Sequence, residues 1–250
     1  MKERLLLMGP PGSGKSKQLL NCAAYLNQEY GVIPEVIDLE DKMEAMMKNM
    51  VSPPDITLYN PIEWDSDDAE FPGLNQCRDK VVNRVKRGDW IMLDRIDLAW
   101  PWVQRWFTQE KHKETLAQLM MDNSKKMSRP SMFTPTQDQG SWQVINEQYE
   151  DMINSLLYRS RCNIIMTTGI RGVDDNSPLD IGRLGILPRG QKELGHQPHS
   201  TLLLHQDRQD RKNPWRISTD KDLELREYYD NESIVDFGWE YLALYFDPKA

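Results

Sequence analysis

Apolar residues along the chain fall into short continuous runs separated by longer stretches of helical spacing. Arg4–Met8 carries four consecutive apolar residues, the signature of a short buried strand. The next segment, Lys15–Gln28, places Leu19, Leu20, Ala23 and Leu26 on one helical face and stops before Gly31. Further strands are expected at Glu35–Leu39, Ile56–Tyr59, Trp90–Leu93, Asn163–Thr167, Thr201–His205 and Trp215–Ser218. Helices are expected at Leu74–Lys86, which Gly88 would stop, and at Trp142–Arg159. In the latter, Trp142, Ile145, Tyr149, Met152, Ile153, Leu156 and Leu157 recur at spacings of three and four. Strands alternating with helices predict an α/β fold with a mainly parallel sheet covered by helices on both faces. Two long connections, Asp122–Ser141 and Ile170–Ser200, interrupt the alternation, and connections of that length commonly carry function.

The strongest local signal lies between the first strand and the first helix. Gly9-Pro10-Pro11-Gly12-Ser13-Gly14-Lys15-Ser16 matches the GxxxxGK[ST] phosphate-loop pattern in the strand–loop–helix context that pattern requires. Glycines let the backbone wrap so that successive N–H groups converge on phosphate oxygens, and the following helix adds the positive end of its dipole. Lys15 is expected to reach the β- and γ-phosphates, Ser16 to offer its hydroxyl to Mg²⁺, and Lys17 to complete the nucleotide-binding stretch 9–17. The partner of such a loop is an apolar strand ending in Asp, and Trp90-Ile91-Met92-Leu93-Asp94 fits. Asp94 is therefore the candidate metal ligand with Ser16, the alternative being a cap on the next turn. Val36-Ile37-Asp38-Leu39-Glu40 delivers Glu40 at the carboxyl end of a strand, the edge where parallel sheets bind ligands. A carboxylate there can polarise an attacking water; the competing reading is one more acid in an acidic stretch.

Composition narrows the class without naming a reaction. The chain has 250 residues, enough for one domain with a real core, and its 31 Lys and Arg against 39 Asp and Glu give a net charge of −8. A protein that coats duplex nucleic acid over its whole surface is ordinarily basic, so any such contact must be local. Charge is in fact segregated. Ten acids lie between Asp38 and Glu70, and seven bases between Gly182 and Arg216. Cys22, Cys77 and Cys162 are far apart, which argues against a zinc site or disulfide framework and points to a reducing, cytoplasmic compartment. No run approaches a membrane span. His196, His199 and His205 lack an acid or cysteine at ligand spacing.

With the loop at 9–16, Asp94, the Ile37-Asp38-Leu39-Glu40 strand end, the Trp142–Tyr149 helix leading into Asn163–Thr168, and the late segment Ile217–Asp222, the chain resembles the RecA superfamily of P-loop ATPases. More narrowly it resembles small phage-type RecA-core ATPases linked to single-strand annealing and recombination. The resemblance covers about residues 1–226 as a RecA-like core, leaving 227–250 as an acidic, aromatic tail that packs on the core or docks on another subunit. It implies ATP and Mg²⁺ as ligands, catalytic roles for Lys15, Glu40 and Asp94, and a polar γ-phosphate sensor at Thr167 or Thr168, with Thr168 preferred. The bland reading of that threonine is a strand-end hydroxyl satisfied by backbone. Lys221 lies where relatives place a base that reaches a neighbouring subunit's nucleotide, although Leu223 stands where an arginine often follows; a solvated surface lysine is the other reading. The 170–200 loop occupies the position of a DNA-binding loop, with Arg171, Arg183, Arg189 and Lys192 as its bases but no aromatic on which a nucleobase could stack. A subunit contact is the alternative for that loop.

The resemblance thus implies a homo-oligomeric ring or filament that hydrolyses ATP and acts on single-stranded DNA in recombination or replication, with no membrane partner. Two other classes share the phosphate loop. One is a nucleoside or nucleotide kinase, for which Asp94-Arg95 is a superficial echo but no arginine-rich lid is evident. The other is a non-hydrolysing, nucleotide-gated assembly factor.

Overall fold

The computed structural model describes residues 3–63, 70–113, 115, 117–118, 121, 139–173, 184–207, 215–223 and 229–245. The first half contains β1 (Arg4–Met8), α1 (Lys15–Tyr30), β2 (Glu35–Asp38), α2 (Met43–Lys48), β3 (Thr57–Tyr59), α3 (Glu70–Arg84), β4 (Trp90–Asp94) and α4 (Ala99–His112). The second half contains α5 (Gln139–Asn154), β5 (Asn163–Thr168), β6 (Ile170–Gly172), β7 (Ile186–Pro188), β8 (Ser200–Gln206), β9 (Trp215–Asp222), β10 (Glu232–Ser233) and a last turn, α6 (Ala243–Tyr245).

Eight strands form one sheet in the order β10-β9-β8-β1-β5-β4-β2-β3, and β6 and β7 make a separate hairpin. Neighbours from β8 through β3 run parallel, whereas β9 and β10 are antiparallel additions. The expected α/β architecture is therefore present. Alternation along β1 shows how the sheet divides its two faces. Leu6 packs with Leu74, Val81, Trp102, Ile145, Tyr149 and Met152 from α3, α4 and α5. Leu5 and Leu7 face the other way, onto Leu19, Leu20, Ala23 and Leu26 of α1. Strands buried on both faces read as continuous apolar runs, which is why Leu5–Met8 and Ile91–Leu93 show no polar alternation. The three cysteines are buried as small core residues and form no disulfide.

Several boundaries differ from the pattern-based expectation, each for a local reason. Helix α3 begins at Glu70, not Leu74, and takes Pro72 into its first turn, where a missing N–H leaves no helical bond unmade. The expected helix Trp142–Arg159 begins earlier, at Gln139, and after Asn154 widens into a π-type turn over Ser155–Arg159. Strand β9 is twice the length read from Trp215–Ser218, because pairing with β8 draws the polar Thr219–Asp222 into the ladder. Within the 170–200 connection, β6 and β7 pair as a hairpin.

Residues 229–245 return to the core. Gln18, fully buried on α1, donates from Nε2 to the Val235 carbonyl at 3.1 Å and accepts the Phe237 N–H on Oε1 at 2.9 Å. Phe237, Tyr241 and Leu242 then fill the α1 face beside Leu19 and Leu20, and Gly238 lies so close that a Cβ would meet the Asn21 carbonyl oxygen at 2.7 Å. Among the described residues no helix is long and apolar enough to cross a membrane. Replacing Gln18 by Leu would keep the volume and orphan both backbone groups. A loss of about 2–4 kcal/mol is expected, read as a lower urea midpoint together with faster amide exchange across 229–245.

Candidate functional site

The carboxyl ends of β1, β5, β4 and β2 meet along one edge of the sheet, and the chemistry-bearing residues collect there. The loop leaving β1 crosses this edge as residues 9–14 and feeds α1. Gly14, at φ +89°, makes the turn into the helix; a Cβ on it would also meet Trp215 Nε1 at 2.5 Å. Lys15 folds back under the loop. Its Nζ donates to the carbonyls of Gly9 (2.8 Å) and Pro10 (3.0 Å) and to Ser13 Oγ (3.3 Å). Burial, reinforced by the Arg95 charge, pushes the Lys15 ammonium down to about 8. Pro11, Gly12, Gly14, Lys15, Ser16 and Lys17 line a cleft of about 250 Å³ whose far wall is Glu40, Lys42 and Arg95. Lys17 keeps its ammonium 4.7 Å above the Trp215 ring.

Asp94 lies beneath the cleft and is fully buried. Its Oδ1 accepts from Thr167 Oγ1 at 2.5 Å, while Oδ2 has no hydrogen-bond partner. Burial raises the Asp94 carboxyl above its ordinary range, opposed by the hydroxyls of Thr167 and Ser16. A buried carboxylate oxygen left unpaired beside a serine hydroxyl is a hard-oxygen donor set of the kind Mg²⁺ takes together with phosphate and water oxygens. Among the described residues no group of three or more His, Cys, Asp or Glu is placed to hold a metal by itself. The residues present therefore fit a cation that arrives with a phosphate ligand.

Glu40 stands across the cleft on the loop after β2. That loop is organised by Asp38, whose carboxylate accepts the N–H groups of Glu40 (3.0 Å), Lys42 (2.7 Å) and Met43 (2.7 Å). Glu40 itself accepts from Arg95 Nη1 on Oε1 at 2.6 Å and from Lys42 Nζ on Oε2 at 3.0 Å. Arg95 and Asp97, whose carboxylate takes Arg95 Nε at 2.8 Å and Nη2 at 3.0 Å, extend this cluster. Neither was given this role from the sequence, where Arg95 entered only through the kinase-like Asp94-Arg95 pair and Asp97 only as a second acid ranked behind Asp94. The signal that could have found them is position, directly after the strand-end Asp94.

The strand register separates the two threonines. Thr167 is the residue that meets Asp94, and it also accepts the Arg95 N–H at 2.8 Å. Thr168, the preferred sensor from sequence, points to the other side of β5 and donates to the Arg189 carbonyl at 2.8 Å. Geometry thus favours Thr167 over Thr168 as the hydroxyl beside the metal-ligand candidate. Lys221 is half-buried, and its Nζ donates to the carbonyls of Gly195 (3.3 Å), His196 (3.1 Å) and Pro198 (2.9 Å), closing the turn before β8.

Of the four bases assigned to DNA, Arg183 lies outside the described residues. Arg171, on β6, and Lys192, after β7, line a second, larger cleft of about 720 Å³ together with Trp100, Asn146 and Glu150 from α4 and α5. Arg189 is exposed at the mouth of the hairpin, its Nε 4.0 Å from Asp97 Oδ2. The loop carries no aromatic of its own, but the fold supplies one: Trp100 forms a wall of this cleft and stacks on the half-exposed Trp142, ring centroids 6.3 Å apart.

Sheet order, phosphate loop and strand-end carboxylate together define a RecA-like P-loop α/β fold. Among solved structures the chain is similar to the RadB recombinase, with a TM-score of 0.50 over 91% of this chain and 84% of that one, at 9% sequence identity. At that identity the likeness is one of fold. No protein-family model matches the chain, and no curated protein does.

The lowered Lys15 value fixes a pH dependence. Between about 8 and the ordinary 10.5 the unfolded chain binds a proton that the folded chain has released, so this group makes the ligand-free protein more stable as pH rises through that window. Urea midpoints measured at either end of the window should show the rise, and Lys15→Met should remove its Lys15 component.

Proposed function

We propose that this chain binds Mg–ATP on residues 9–17 and hydrolyses it, working as a homo-oligomer on single-stranded DNA in a recombination or replication process. The observation that carries the nucleotide reading is the partnerless, buried Asp94 Oδ2 beside Ser16, under a phosphate loop whose lysine is already folded inward. A buried unpaired acceptor costs on the order of 1–3 kcal/mol, a cost that a cation ligand would offset.

Each residue has a role that follows from its position. Backbone N–H groups of 9–14 and the α1 N-terminus would hold phosphate oxygens, and Lys15 would move from loop carbonyls to the β- and γ-phosphates. Ser16 and Asp94 would hold Mg²⁺, which when bound supplies positive charge against the phosphate oxygens. Glu40, across the cleft, would accept a proton from the attacking water. Thr167 keeps the Asp94 carboxylate oriented through its 2.5 Å hydrogen bond.

The DNA part of the reading is supported by the second cleft, where Arg171 and Lys192 offer charge to a backbone and Trp100 offers a stacking face. A basic window inside an acidic chain lets such contacts be local and salt-sensitive.

Phosphate release should depend on Mg²⁺, rise on adding single-stranded DNA, and accompany a larger assembly in sizing experiments with ATP. Lys15→Ala should abolish turnover, and Glu40→Gln should bind ATP while losing about 100-fold or more in rate. Normal hydrolysis by Lys15→Ala would overturn the assignment. Phosphate transfer to nucleosides or nucleotides in place of release to water would indicate a kinase.

A further inference from the structure

We propose that Arg95 senses the γ-phosphate within its own chain: its guanidinium holds Glu40 until the third phosphate of a bound nucleoside triphosphate displaces that carboxylate. The inference rests on the nucleotide reading above and concerns how the same site is regulated.

Arg95 is built into the cleft at a cost. It adopts a left-handed conformation, φ +66° and ψ 55°, directly after Asp94, and its backbone N–H is held by Thr167 Oγ1 at 2.8 Å. A non-glycine residue there gives up about 1–2 kcal/mol. That turn sends the side chain over the phosphate loop, where it shares the cleft with Lys15, Ser16 and Glu40.

The two edges of the guanidinium are tied differently. Asp97, its side chain 1% exposed, takes Nε at 2.8 Å and Nη2 at 3.0 Å, which fixes the plane of the group. Nη1 reaches across the cleft to Glu40 Oε1 at 2.6 Å, between two side chains that are each 16% exposed. Asp97 is thus the anchor and Glu40 the exchangeable partner.

A phosphate entering between Lys15 and Glu40 competes for the Nη1 edge that Glu40 holds. It offers more charge and more acceptor oxygens than one carboxylate oxygen, and guanidinium matches phosphate geometry closely. Once released, Glu40 keeps only Lys42, whose side chain is 60% exposed and whose hold is correspondingly weak. A diphosphate lacks the competing group, so Glu40 stays clamped. The arrangement also supplies in cis a positive charge for the γ-phosphate that Lys221, bonded to three carbonyls, does not bring to this cleft in its own chain.

The test is calorimetric titration of the full chain, with Mg²⁺, by ADP and by a non-hydrolysable ATP analogue. Arg95→Gln should weaken the analogue about tenfold or more beyond any change for ADP, the loss of one charge-assisted contact. Arg95→Lys should retain part of the preference. Because Arg95→Gln leaves the buried Asp97 carboxylate with only the exposed Arg189 at 4.0 Å, the Arg95→Gln/Asp97→Asn double variant serves as the folded control and should show the same loss of preference. Glu40→Gln removes the competitor, so it should tighten the analogue in the wild-type background and not in Arg95→Gln. An unchanged ATP-analogue to ADP ratio in Arg95→Gln and in the double variant overturns the sensor. So do additive effects of the Glu40 and Arg95 changes. If the wild type binds both nucleotides and Lys15→Ala binds neither, the nucleotide reading stands whatever Arg95 does. Binding of neither nucleotide by the wild type removes both.

Discussion

The parallel register of β1, β5, β4 and β2 places the whole site. Met8 pairs with Thr168, Leu93 with Met166, and Asp38 with Asp94, so the four strands run out along a common line. Because β5 is inserted between β1 and β4, Thr167 lies between the phosphate loop and Asp94 and can bond both the Asp94 carboxylate and the Arg95 N–H. A slip of one residue in β5 would exchange the faces of Thr167 and Thr168 and leave Asp94 Oδ1 without its donor. Apolar runs buried on both faces make that slip expensive, so core packing determines the position of the polar edge.

On that edge, charges are arranged in pairs that leave one member incompletely satisfied. Lys15 is buried on loop carbonyls, which are weaker partners than phosphate. Asp94 has one oxygen bonded and one bare, and Arg95 divides its guanidinium between a buried anchor and a cleft-facing carboxylate. Each of these groups would gain by meeting a polyanion that carries a divalent cation. Two threads run from the edge to the β6–β7 hairpin: Thr168 donates to the Arg189 carbonyl, and Arg189 faces Asp97. The cleft lined by Trp100, Arg171 and Lys192 therefore adjoins the edge that carries the phosphate loop.

What the sequence disclosed was whatever local pattern encodes. Apolar runs and helical spacing are short-range, so β1 to β5, β8, β9, the helices α1, α3 and α5 and the phosphate loop were legible, as was Asp94 at a strand end, whereas the short β6, β7 and β10, which carry no apolar run of their own, were not. Three other features depended on groups far away in sequence. The side of β5 on which each threonine lies is set by register, which the run Asn163–Thr168 does not reveal. The contact of Gln18 with Val235 and Phe237 spans most of the chain, and a glutamine on a helix face carries no mark of it. Arg95 reaches the cleft through a left-handed turn that no residue preference announces. Trp100 sits in a dense aromatic run, which usually means packing, and its place on the cleft wall appears only when α4 and α5 are set beside the hairpin.

The most direct measurement of whether this edge is a Mg–nucleotide site is calorimetric titration of ATP into the wild-type chain and into Asp94→Asn, each with Mg²⁺ and with EDTA. Saturable binding at one site per chain is expected for the wild type, weakened about tenfold or more by EDTA, with that metal dependence lost in Asp94→Asn. Absence of binding, or binding equally tight with and without Mg²⁺ in both proteins, would contradict the assignment of Ser16 and Asp94 to a metal-bound nucleotide.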